Sequence, residues 1–185
     1  MGENQNTIRT VCQRIIKMDH VIKTIKLLQS GLTPDLDIAS MSKRNPIAHK
    51  WKECYRIWSL REIVSWRFAD LMYQAAQLQK DNHVLGAGIL LRASIETLAI
   101  LIYSNIQMEK LLNSDHNFKD MSDKTVKLLL GSKDGFTDYI AINIITVIEQ
   151  CDKARDYELQ KTYGQLSESI HPNWDGMRKL YSRLD

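Results

Sequence analysis

Residues 83–112 read HVLGAGILLRASIETLAILIYSNIQMEKLL. The run contains no proline, and Leu85, Ile89, Leu90, Leu91, Ile95, Leu98, Ile100, Leu101 and Ile102 fall at nearly every helical phase. An apolar circumference of this kind predicts a helix enclosed by others. Gly86, Ala87, Gly88, Ala93 and Ala99 let neighbouring helices approach closely. Only Arg92 and Glu96 interrupt the apolar stretch Gly86–Tyr103, which makes it too polar, on this reading, to span a bilayer.

Working outward, amphipathic helical patterns lie on both sides. Before it, Ile8, Val11, Ile15, Met18, Ile22, Ile25 and Leu28 recur at steps of three and four, close to a heptad seam over 6–29. One narrow stripe predicts packing on a single neighbour, so this helix is a candidate oligomerisation or partner-binding element. Gly31 ends it, and a polar loop runs from Leu32 to Arg44.

Asn45 and Pro46 then make a favoured N-cap and first helical residue for a second long helix, reaching about Lys80. Ile47, Trp51, Tyr55, Trp58, Ile63, Trp66, Leu71 and Met72 form its apolar stripe, and Lys50, Lys52, Arg56 and Arg61 its wet face. Basic residues interleaved with aromatics can hold phosphates and stack bases. An ordinary core stripe with a solvated face accounts for the same pattern.

After the central helix, Ser122 is expected to cap a short helix, 123–130. Further helices are expected at 137–153 and 155–171, the last stopped by Pro172, with a short amphipathic piece at 174–184. No alternating strand pattern, internal repeat or low-complexity tract occurs. The expected fold is all-α, a single-domain bundle of about five to six helices with long N-terminal helices.

Composition sets the outer bounds. The net charge of +3 divides unevenly: residues 1–80 hold 13 Lys+Arg against 7 Asp+Glu, leaving the remainder net acidic. A basic N-terminal half suits a polyanion such as RNA. Cys12, Cys54 and Cys151 are odd in number and widely spaced, which predicts reduced thiols and a cytoplasmic protein. There is no phosphate-cradling glycine loop, HExxH, GxSxG or paired acidic metal motif, so no metal or cofactor is expected.

Three polar groupings remain. Arg92 and Glu96 stand at i, i+4 on the helix expected to be enclosed, where charges persist only when paired or when they line a polar pocket. Ser167 and His171 lie one turn apart at a helix end and are expected to meet Arg92 and Glu96 if the two helices pack together. That meeting would make a small-ligand pocket or an alternative acid/base site. A helix cap and proline stop explain Ser167 to Pro172 equally well.

The third grouping is Arg44-Asn45-Pro46-Ile47-Ala48-His49. An arginine followed by a polar residue, with a histidine five positions on, resembles the Rx4-6H signature of the HEPN superfamily. The resemblance covers residues 44–49 and the helical setting. It implies a metal-independent RNA endonuclease of a defence or toxin system, working as a homodimer with one half-site per chain. His49 would move the proton, its imidazole titrating near ~6.5 in water, while Arg44 would stabilise the phosphorane and Asn45 orient it. Lys50, Lys52 and Arg56 would then contact RNA. A non-catalytic helical interaction module is the other reading of the same chain.

Overall fold

In the computed structural model, residues 18–33, 39, 52–113 and 117–181 are described. Seven α-helices occur among them and no strand: α1 Met18–Ser30, α2 Lys52–Lys80, α3 Val84–Leu112, α4 Phe118–Leu130, α5 Ile144–Arg155, α6 Leu159–Ile170 and α7 Trp174–Tyr181. The all-α expectation holds. Positions 44, 45, 49 and 50, with the N-terminal part of the heptad seam, lie outside the described residues.

Two compact units emerge, Met1–Gly31 with Arg67–Thr97 and Glu158–Asp185, and Leu32–Trp66 with Leu98–Tyr157. The divisions fall inside α2 and α3.

In the first unit, α2 turns into α3 through a cap dictated by one asparagine. Asn82 takes a positive φ of 62°, which asparagine tolerates better than most residues. His83 N–H then reaches Leu78 O at 2.7 Å and Asn82 N–H reaches Gln79 O at 3.1 Å, so carbonyls left open at the helix end find donors. The hairpin closes tightly because Gly86 sits against Leu78, where an added Cβ would stand 3.0 Å from Leu78 Cδ1. From α1, Ile25 of the heptad seam is buried in the chain, while Ile22 and Leu28 are half-buried.

The core of the second unit is set by α4 and α5. Val147, Ile148 and Cys151 share one face of α5 and are fully buried, and Met121, Thr125 and Val126 are buried on α4. Burying each large aliphatic contributes about 1.5–3 kcal/mol. The Cys151 thiol donates to Ala99 O at 3.3 Å, where the small Ala99 leaves room for it.

Several expectations are corrected. The central helix is enclosed over most of its circumference, with Ala87, Leu91, Ser94, Ile95, Thr97, Ala99, Tyr103 and Ile106 buried, and the exception within 85–102 is Ile89, which is exposed. By length and composition α3 is also apolar enough to cross a membrane, because its few charges do not offset its aliphatic content, a property that a core helix shares. On α2 the aromatic stripe is not the core face. Leu60, Val64 and small residues (Ser59, Ser65, Ala69, Ala75, Ala76) take the buried positions, and Ile63 and Trp66 are exposed.

The later boundaries also move. Asn117, not Ser122, caps α4 by accepting from Asp120 N–H at 2.9 Å. Helix α5 starts only after Asn143, whose side chain accepts from Ile145 N–H at 3.0 Å. The preceding segment folds back instead, with Ser132 N–H bonded to Tyr139 O at 2.9 Å and Ala141 N–H to Ser132 O at 3.1 Å. Asp156, at φ 54°, ends α5 and separates it from α6.

Candidate functional site

Helices α3 and α6 run antiparallel in the first unit, and their pairing can be read residue by residue. Gly88 lies under Ile170, where an added Cβ would stand 3.8 Å from Ile170 Cγ1, so α6 approaches closely there. One turn on, Arg92 meets Ser167, and one turn further Glu96 meets Tyr163. Steps of four residues on each helix bring these side chains into a single row.

Their bonds form a closed network. Arg92 Nε donates to Ser167 Oγ at 2.9 Å, and Nη2 donates to the Tyr163 hydroxyl at 2.5 Å. The Tyr163 hydroxyl in turn donates to Glu96 Oε1 at 3.0 Å. Arg92 Nη2 also stands 3.5 Å from that carboxylate oxygen, and the guanidinium carbon lies 4.7 Å from the centre of the Tyr163 ring. Charge-assisted bonds and the ring face together hold the arginine in one rotamer.

The network is open on one side. The Arg92 and Glu96 side chains are 38% and 33% exposed. Arg92 Nη1 and Glu96 Oε2 carry no hydrogen bond among the described residues. The pair therefore keeps a donor on the arginine and an acceptor on the glutamate that this network does not use, on side chains partly open to solvent. Such an edge can hold a group presenting an acceptor and a donor side by side, such as a protonated phosphate, a carboxamide or a base edge.

Of the residues marked from sequence for this pocket, Arg92, Glu96 and Ser167 come together. His171 stands apart from their bonds: α6 ends at Ile170, and the His171 backbone leaves the helix at φ −63°, ψ 139°, with its side chain exposed. Tyr163 takes the place expected of it. Tyr163 precedes Ser167 by one turn on the same face, but a tyrosine on an amphipathic helix reads equally well as packing.

Among the RNA-contact candidates, Lys52 is exposed at the start of α2, while Arg56 is engaged by the buried carboxylate of Glu53. Arg44, Asn45, His49 and Lys50 lie outside the described residues. Among the described residues no group of His, Cys, Asp and Glu is arranged to hold a metal ion. No family model matches the chain, and no match was found among curated proteins or solved structures.

Proposed function

We propose that the chain is a helical protein that binds a small polar ligand on the edge formed by Arg92 and Glu96, with Tyr163 and Ser167 fixing the arginine. The observation that carries this reading is the partly exposed Arg92–Glu96 pair, tied by Tyr163 and Ser167, in which Arg92 Nη1 and Glu96 Oε2 have no partner among the described residues. The bonds from Tyr163 and Ser167 keep the partly exposed arginine pre-organised, which supports ligand binding there.

Titration calorimetry with inorganic phosphate, ribonucleoside 5′-monophosphates and small carboxamides tests this. At least one class is expected to bind the wild type, and Arg92→Lys and Tyr163→Phe to weaken it about tenfold or more, as loss of a fixed charged hydrogen bond should. Binding undiminished in Arg92→Met, or no binding by any of the three classes, would overturn it.

A second reading is favoured by Arg44-Asn45-Pro46-Ile47-Ala48-His49, which resembles the HEPN signature, and by the basic N-terminal half of the chain. It takes the protein as a metal-independent RNA endonuclease with Arg44, Asn45 and His49 at the reacting phosphate. Cleavage of total RNA that persists in EDTA and vanishes in His49→Ala supports this reading. Intact RNA after incubation with the wild type rejects it.

A further inference from the structure

Gln107 of α3 is 3% exposed, and only one end of its carboxamide is satisfied. Its Oε1 accepts from Lys124 Nζ of α4 at 2.7 Å. An ammonium only donates, so the lysine fixes which end of the amide faces it. The other end, Nε2, is buried and has no hydrogen-bond partner. A buried N–H donor is costly to leave without an acceptor, so this atom marks a place where an acceptor belongs.

Positive charge gathers at the same place. Lys110 follows Gln107 by three residues, which brings it to the same side of α3. Its charge reaches Lys124. Burial first, and Lys110 second, hold the Lys124 ammonium below its ordinary value of 10.5, while Asp120, exposed one turn earlier on α4, acts least and in the other direction. Both lysines are half-buried, and Ile106 and Thr125, their chain neighbours Gln107 and Lys124 aside, are buried. Two cations partly out of water and an amide donor without an acceptor call for the same thing, a negatively charged acceptor. All of these residues belong to the second unit, so the cluster shares none with the Arg92–Glu96 edge.

We propose that Gln107, Lys110 and Lys124 form a second binding site, which takes a small oxyanion, the carboxylate or phosphate of a ligand. One oxygen accepts from Gln107 Nε2 and the others face the two ammonium groups. The flexible four-carbon stem of Lys124 swings aside as the anion enters.

Proton–nitrogen correlation NMR of the full chain at constant ionic strength tests the proposal, with circular dichroism to confirm that each variant folds. Gln107→Met identifies the Gln107 side-chain amide signals by their disappearance. Replacing chloride with inorganic phosphate or acetate is expected to move those signals saturably, and a response to one anion alone names the chemistry of the ligand. Lys124→Met should weaken binding about tenfold and Lys110→Met several-fold, as loss of a charged partner does, whereas Lys124→Arg should keep most of it. Signals that follow neither anion beyond the chloride control would overturn the proposal. So would a response undiminished in both Lys124→Met and Lys110→Met.

Discussion

The Tyr163 hydroxyl donates to Glu96 Oε1 across 3.0 Å and joins α6 to α3 at the point where Arg92 also arrives. The phenol therefore links the two charges. Tyr163→Phe keeps the ring under the guanidinium but removes one donor and one acceptor, at a cost of about 1 kcal/mol for a partly exposed pair of bonds. Urea unfolding should show a lower midpoint with an unchanged slope. A variant as stable as the wild type would mean that the hydroxyl exchanges its partners freely for water.

Two glycines should respond in opposite directions. At Gly131, which ends α4, an added Cβ would collide with Lys127 O and stand 2.7 Å from Ala141 Cα, both backbone atoms that cannot swing away. Gly131→Ala is expected to destabilise by ~3 kcal/mol and to disturb the segment up to Asn143. Gly164, inside α6 and exposed, meets nothing within 4 Å. Gly164→Ala should stabilise by ~0.5–1 kcal/mol through backbone entropy alone. Thermal unfolding of the two variants side by side checks both signs.

What the sequence reveals and what it hides follow from the same physics. The helical class is legible because residues 83–112 leave no other pattern open, and Arg92 with Glu96 stand out because charges in such a run need partners. Tyr163 is not legible as a site residue: on an amphipathic helix a tyrosine reads equally well as packing. Asn117 does not stand out because Ser122 offers the same cap chemistry one turn later, and only the Asp120 N–H bond distinguishes them. Ile140, Ala141 and Ile142 read as helix, yet the bonds of Ser132 with Tyr139 and Ala141 hold that segment in a fold-back. The aromatics of α2 mislead for a simpler reason. The buried face is made by Leu60 and Val64 with the small Ser65, Ala69, Ala75 and Ala76, and Ile63 and Trp66 fall on the other side of the helix.

Thiol reactivity should separate Cys54 from Cys151. Burial first, and the nearby Asp152 carboxylate second, push the Cys151 thiol up to about 11 from an ordinary value of 9.0. In a Cys12→Ser background at pH 8, a thiol-reactive disulfide should modify the exposed Cys54 quickly and Cys151 only after denaturant is added. The same shift sets a pH window. The folded chain holds this proton more tightly than the unfolded chain, so its contribution is intact below pH 9 and is lost as pH rises towards 11. The loss should reach ~2 kcal/mol. Tyr103, also raised by its burial and then by Cys151, acts in the same direction. Chemical denaturation at pH 8, 9.5 and 10.5 should give falling stabilities.

Glu62 should prove the most sensitive acidic position on α2. Its carboxylate is buried and accepts from Thr33 N–H at 2.8 Å through Oε2, while Oε1 lies 3.0 Å from Arg61 Nη1. One turn later Trp66 donates to Thr33 O, so α2 holds both polar groups of one peptide residue. Glu62→Ala leaves the Thr33 N–H without its acceptor, and a buried donor without a partner costs about 1–3 kcal/mol. Glu62→Gln keeps an acceptor oxygen and the shape of the side chain, giving up only the charge. Since the Arg61 side chain is largely exposed, that charge pairing is worth little, and the glutamine variant should lose under ~1 kcal/mol. Amide hydrogen exchange at Thr33 provides a local readout beside global unfolding: fast exchange in Glu62→Ala with protection kept in Glu62→Gln is the expected pattern. Equal protection in both variants would show that Thr33 is held by something other than this carboxylate.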